Sequence, residues 1–205
     1  GTLTVQGGSA ISDASTVTVN GGIFDVDAAE TIGGLNSSVG STVNLDATLT
    51  VVGVGTVAGI VQGAGGMTKS GAGILALSGA NTYTGATTIS SGVLSVATLA
   101  NGGAPSGIGQ SSNAAGNLVL GGGTLQYTGA STTTDRAFTL AAGTSSSIDV
   151  TGGTNLTISG ASAATTGALT KSGAGTLILT GANNYAGATT ISLGTLNANS
   201  SAALG

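Results

Sequence analysis

The sequence predicts an all-β fold, one elongated β-solenoid, and three observations predict it. A long internal repeat runs through the chain, strand-length segments recur about every 11 residues, and large side chains for a globular core are nearly absent.

The repeat comes first, because self-similarity at a fixed period decides architecture. Residues 67–96 read MTKSGAGILALSGANTYTGATTISSGVLSV, and residues 169–198 read LTKSGAGTLILTGANNYAGATTISLGTLNA. Of these 30 positions 20 are identical, at an offset of 102. Upstream, TVTVNGGIFDV from Thr16 aligns with NLVLGGGTLQY from Asn117 at an offset of 101. The opening GTLTV at Gly1 matches GVLSV at Gly92 and GTLNA at Gly194. Residues 1–205 therefore read as a single solenoid segment with long repeats at 1–91 and 92–193 and the start of a third at 194–205. Residues 97–116 replace a shorter stretch of the first repeat. They hold the one proline, Pro105, and predict a surface loop.

Within the second repeat the strand candidates are, in order, LVL from Leu118, TLQYT from Thr124, AFTLA from Ala137, SIDV from Ser147 and NLTIS from Asn155. ALT from Ala168, TLILT from Thr176, TTIS from Thr189 and TLNA from Thr195 complete the set. Gly, Asn or Ser bounds each one. Thr, Val and Ile, stiff at χ1, suit the pleated surface. Period-two alternation is clear in Thr176 to Thr180 and in Thr16 to Val19, and no segment of helical length shows a 3.6-residue period. Even strand spacing alone also permits a sandwich or a barrel. Near-identical blocks favour the solenoid, in which each coil touches only its neighbours and like residues stack over like. Roughly six to ten coils fit the length, at a rise of ~4.8 Å each. Asn81 and Asn183, each in a GAN triplet, are expected to form stacked amide ladders.

Composition excludes several classes. The chain has 39 Gly, three Tyr, two Phe, and no Trp, Cys or His; Lys and Arg number 3, and Asp and Glu 7. A mean hydropathy of +0.45 with a net charge of −4 is the opposite of a disordered chain. Weak acidity offers no basic face for nucleic acid and no attraction to anionic lipid. No apolar run approaches the ~18 residues of a spanning helix, and so few aromatics cannot form the girdles of a membrane barrel. The lack of Cys suits an oxidising compartment. Gly1 and Gly205 both fall inside recognisable repeats, so a removed leader or a chain continuing beyond is expected.

The K-S-G-A-G turn at Lys69 and Lys171, the G-A-N-x-Y-x-G-A-T-T segment and the closing G-x-L resemble the autotransporter-associated β-strand repeat. The resemblance covers two blocks of about thirty residues. It implies a right-handed parallel β-helix on the outside of a Gram-negative-type cell, exported through a membrane barrel that this segment lacks. It also implies a stalk and folding module, with adhesive or enzymatic activity elsewhere in the protein.

The residues themselves offer little chemistry. Without His or Cys, imidazole-based triads and Cys-His metal sites are excluded. Asp25 and Asp27 flank Val26 and point to one face, roughly 6.6 Å apart along a strand. Glycoside hydrolysis uses such spacings, but the second repeat has Gln126 and Thr128 there and no basic residue lies near. GGIFDVD from Gly21 has the Gly and Asp of a calcium turn without its pattern; only loose occupancy at Asp25, Asp27 or Glu30 is open to it. The pairs Thr2/Thr4, Thr16/Thr18 and Thr48/Thr50 have the local look of a water-ordering face. Lys69 and Lys171 read as solvated turn residues, Asp135–Arg136 as a surface ion pair, and Tyr83 and Tyr185 as packing residues covering the coil edge. The Gly-rich GGAPSGIG and GVGTVAG lack a phosphate-loop context.

No catalytic, cofactor-binding or metal site is therefore assigned, and no cofactor. The expected function is a non-catalytic extracellular solenoid, the scaffold of a surface adhesin. A structural filament built by end-to-end or lateral association is the alternative, and a polysaccharide-acting β-helix a distant third. Expected partners are neighbouring copies or the continuation of the same chain, with host ligands outside this segment.

Overall fold

Strands of two to six residues, separated by short Gly-containing turns, bring the backbone round to hydrogen-bond with itself about twenty residues later. The computed structural model describes residues 1–205 as a parallel β-solenoid of about ten coils. Its strands stack on three faces. One face is a continuous nine-stranded sheet from Thr16–Val19 to Thr189–Ile191, and the second a six-stranded sheet from Glu30–Ile32 to Thr139–Leu140. The third is split into two four-stranded sheets. The first runs from Thr2–Val5 to Ile60–Gln62, the second from Thr132–Thr134 to Thr195–Ala198. Every pairing between these strands is parallel.

Alternation places every second residue inside. On the nine-stranded face Leu75, Leu94, Leu125 and Ile148 stand directly over one another, and on the six-stranded face Ile32, Val51, Ile89, Leu120 and Leu140 share one column. One core of 37 buried apolar residues runs the length of the rod. Small and branched side chains suffice, because each rung needs only to cover the next at ~4.8 Å.

The strand candidates of the second repeat all fall on or across strands; Thr132–Thr134 is an additional one. The threonine pairs lie on three different faces, in Thr2–Val5, Thr16–Val19 and beside Leu49–Val51, so they form no common array. A column no local pattern announced does form: Thr31, Thr50, Thr68 and Thr88 stack outward in register.

The two near-identical blocks do not sit on equivalent faces. Met67–Lys69 belongs to the six-stranded sheet, whereas its counterpart within Ala168–Ser172 belongs to the nine-stranded one. Asn81 and Asn183 are therefore rungs apart on different faces, and the expected amide ladder between them is corrected.

Residues 97–116 are not a plain surface loop. Leu99, Ser106, Ile108 and Ser111 are buried. The segment turns back on the third face, so that Ser106 pairs antiparallel with Asn81 while the Ala100 carbonyl accepts from Thr134 Oγ1 at 3.0 Å. It acts as an extra half-rung, and this splits the face into two sheets. A single 3-10 turn at Ala115–Asn117 ends it.

Candidate functional site

The lysine, asparagine and tyrosine of the repeated block are inside the rod, and the lysine and asparagine link coils. Lys69 stands in the inward column between Val51 and Ile89 and is fully buried; its stem packs as an aliphatic chain. Its Nζ donates to the carbonyls of Val52, Ser70 and Gly71 at 3.2, 2.9 and 2.8 Å. Lys171, between Ile148 and Ile191, is also fully buried and donates to the carbonyls of Ser172, Gly173 and Leu193. Gly71 and Gly173 lie in the left-handed region, at φ of 72° and 73°, which turns their carbonyls toward the ammonium. The expectation that these lysines are solvated is thus overturned, because an alternating strand sends every second side chain inward whatever its charge. Burial lowers both ammonium pKa values, with Asp149 opposing the shift at Lys171.

Asn81 bridges three coils. Its Oδ1 accepts from Val61 N–H of the coil before at 2.9 Å, and its Nδ2 donates to the Gly107 carbonyl at 3.2 Å. Asn183 repeats this with Ser162 N–H and the Ala203 carbonyl, both at 2.7 Å. Tyr83 and Tyr185 are core residues rather than edge covers. Their hydroxyls meet Thr87 and Thr189 Oγ1 at 2.7 and 2.8 Å, and burial raises both phenol pKa values.

Arg136 is likewise no surface ion pair. It is buried, and it donates to the carbonyls of Ala100, Gly109 and Ser111 at 2.9, 2.9 and 3.2 Å and to Ser111 Oγ at 3.0 Å. The guanidinium fork therefore bolts the 97–116 excursion to the rod from beneath. Burial lowers its pKa, with Tyr83 and Asp135 opposing. Asp135 instead accepts from Gly102 N–H at 2.8 Å and Asn113 Nδ2 at 3.3 Å. No strand pattern foretells this bolt, since its acceptors come from a segment without periodicity.

All three cations are thus turned inward, and every buried side-chain nitrogen and oxygen has a hydrogen-bond partner. Among the acids only Glu30 is buried, accepting from Ala10 and Thr31 N–H at 2.8 and 3.1 Å. The surface of the rod consequently carries carboxylates and no basic side chain.

The structure brings Asp25 and Asp27 together with Asp46, which the sequence reading did not include. Carboxylate oxygens of the three lie within 4.8 Å of one another. Asp25 accepts from Asn44 Nδ2 at 2.7 Å and Thr4 Oγ1 at 3.4 Å, and Asp27 from Gln6 Nε2 at 3.1 Å. Asp27 and Asp46 are exposed. Three side-chain ligand groups compare with the six to eight oxygens calcium takes. Glu30, part of the expected loose set, lies outside this cluster.

With this geometry in place, the comparisons with known proteins are specific. Residues 67–96 and 169–198 match the Passenger-associated-transport-repeat family. The chain is 44% identical over 206 residues to the Adhesin BmaC autotransporter of Brucella suis biovar 1 (strain 1330). That alignment takes in 91% of this chain and 6% of the longer protein, so the chain spans a small part of its relative. No solved structure matches it. The chain carries two copies of an autotransporter passenger repeat, on the residues whose resemblance pointed to it.

Proposed function

We propose that this chain is a non-catalytic scaffold segment of an autotransporter-type adhesin, exposed on the outer surface of a Gram-negative-type cell. The observation that supports it is the inward orientation of the chemistry. Both lysines, the arginine and both motif asparagines are consumed in joining one coil to the next, and both motif tyrosines are packed in the core. What faces solvent is neutral or acidic, which repels nucleic acid and an anionic cell envelope alike and favours a rod that stands away from its membrane. The adhesive function named for the relative then resides beyond this segment, which supplies reach: about ten coils at ~4.8 Å give ~48 Å.

The test is electron microscopy and sedimentation of the purified chain at rising concentration. Discrete monomeric rods are expected. Continuous filaments would overturn the scaffold reading in favour of a structural fibre, and turnover of a polysaccharide by the purified chain would overturn the non-catalytic one.

A further inference from the structure

We propose that the long repeat is an indexing device, which turns the excursion after each block onto the next face of the rod. The proposal rests on the scaffold reading for its use, and on the register for its geometry. Leu75 lies in the strand that follows Lys69, one face further round the same coil. Above Leu75 stand, rung by rung, Leu94, Leu125, Ile148 and then Lys171. The 102 residues from Lys69 to Lys171 are therefore four coils plus one face. Equivalent groups are displaced by ~21 Å along the axis and by about a third of a turn around it.

The excursions follow the same rule because their seats are equivalent. In the first, Asn81 N–H donates to the Ser106 carbonyl at 3.1 Å and Asn81 Nδ2 to the Gly107 carbonyl. In the second, Asn183 N–H donates to the Ala202 carbonyl at 2.8 Å and Asn183 Nδ2 to the Ala203 carbonyl. Gly109 and Gly205 complete the two seats, at φ of 77° and 75°, each lying against the carbonyl of the motif tyrosine. Residues 200–205 thus take the same seat as residues 104–109, but on another face. The first seat occupies the third face, where the excursion splits the sheet. The second continues the six-stranded face, through the Phe138–Ser162 bridge and the bond from Ser162 N–H to Asn183 Oδ1. A block stacked at a whole number of coils would project its excursions along one side only. The extra face spreads them around the circumference, so a rod needs no particular rotation to present one outward.

The chain has no cysteine of its own, which allows a direct register test. Ser147 and Thr170 are in-register neighbours on adjacent strands of the nine-stranded face, with side chains outward. Such neighbours lie within the Cα range of a disulfide. The Ser147→Cys/Thr170→Cys chain is expected to form an intramolecular disulfide under mild oxidation, read by its shifted mobility on a non-reducing gel. The Thr139→Cys/Thr170→Cys chain is expected to remain reduced. Linkage of the second pair instead of the first would place the second block on the six-stranded face and overturn the indexing. That outcome leaves rods, filaments and adhesion untouched, so it is separable from failure of the scaffold reading.

Discussion

Replacing Asn81 by Ala isolates the joint between coils. The side chain is fully buried and makes two bonds, one from Val61 N–H at 2.9 Å and one to the Gly107 carbonyl at 3.2 Å. Alanine satisfies neither group and leaves no room for bulk water between rungs. An orphaned buried backbone group costs about 1–3 kcal/mol, so the two together cost about 4 kcal/mol. In a solenoid this loss stays local, since each coil contacts only its neighbours. At 1.4 kcal/mol per decade it corresponds to a roughly 10³-fold loss of hydrogen-exchange protection. The loss is expected at Val61, Tyr83 and Ser106. Amides of Ser145–Val150 and Asn155–Ile158, several rungs away, are expected to keep theirs. A threefold change or less at Val61 would refute the reasoning, because it would mean that water or a shifted backbone satisfies both groups at no cost. Uniform loss along the whole rod would refute the locality.

Other outcomes follow from the same geometry. Arg136→Met is expected to release the excursion, exposing the backbone around Gly103 to limited proteolysis while the thermal transition of the rod moves little; unchanged protease resistance would show that the guanidinium bolts nothing. Gly55→Ala is expected to destabilise by several kcal/mol, because an added Cβ meets the Leu35 carbonyl of the preceding coil, and denaturant unfolding at an unchanged midpoint would contradict it. Tyr83 keeps its proton in the fold above its ordinary value of 10.0, whereas the unfolded chain releases it there. The native state then binds more protons, so stability falls as pH rises above about 10. The fall is expected to be less steep in Tyr83→Phe, measured by denaturant titration at pH 9 and pH 11.

Much of the fold is legible in the residues because each strand announces itself locally. Thr176 to Leu179 alternates, Gly bounds it, and repetition of the block 102 residues earlier removes the ambiguity between sandwich and solenoid. Less of the chemistry is legible. Lys69 and Lys171 open a turn-like K-S-G-A-G string, and a charge beside a turn reads as solvated. Yet the strand phase that buries Met67 also buries Lys69 two residues on, and Gly71 supplies the carbonyl that makes the ammonium tolerable there. Asp46 was absent from the acidic set because it lies 19 residues from Asp27, a separation meaningless until the coil length is known.

The sequence by itself determined the class of the molecule: local alternation, glycine punctuation and a repeated block are properties of neighbouring residues, and they suffice for a parallel solenoid. Only the tertiary structure decided the register. Coil length varies from 18 to 31 residues between successive rungs, as at Thr42 to Ile60 and Leu94 to Leu125, so the phase of any residue around the axis is the sum of every turn before it. That accumulated phase places the two blocks on different faces and gathers three aspartates. It also aligns four threonines and sets Arg136 beneath its excursion, because contacts between coils depend on where the chain returns, which no local window contains.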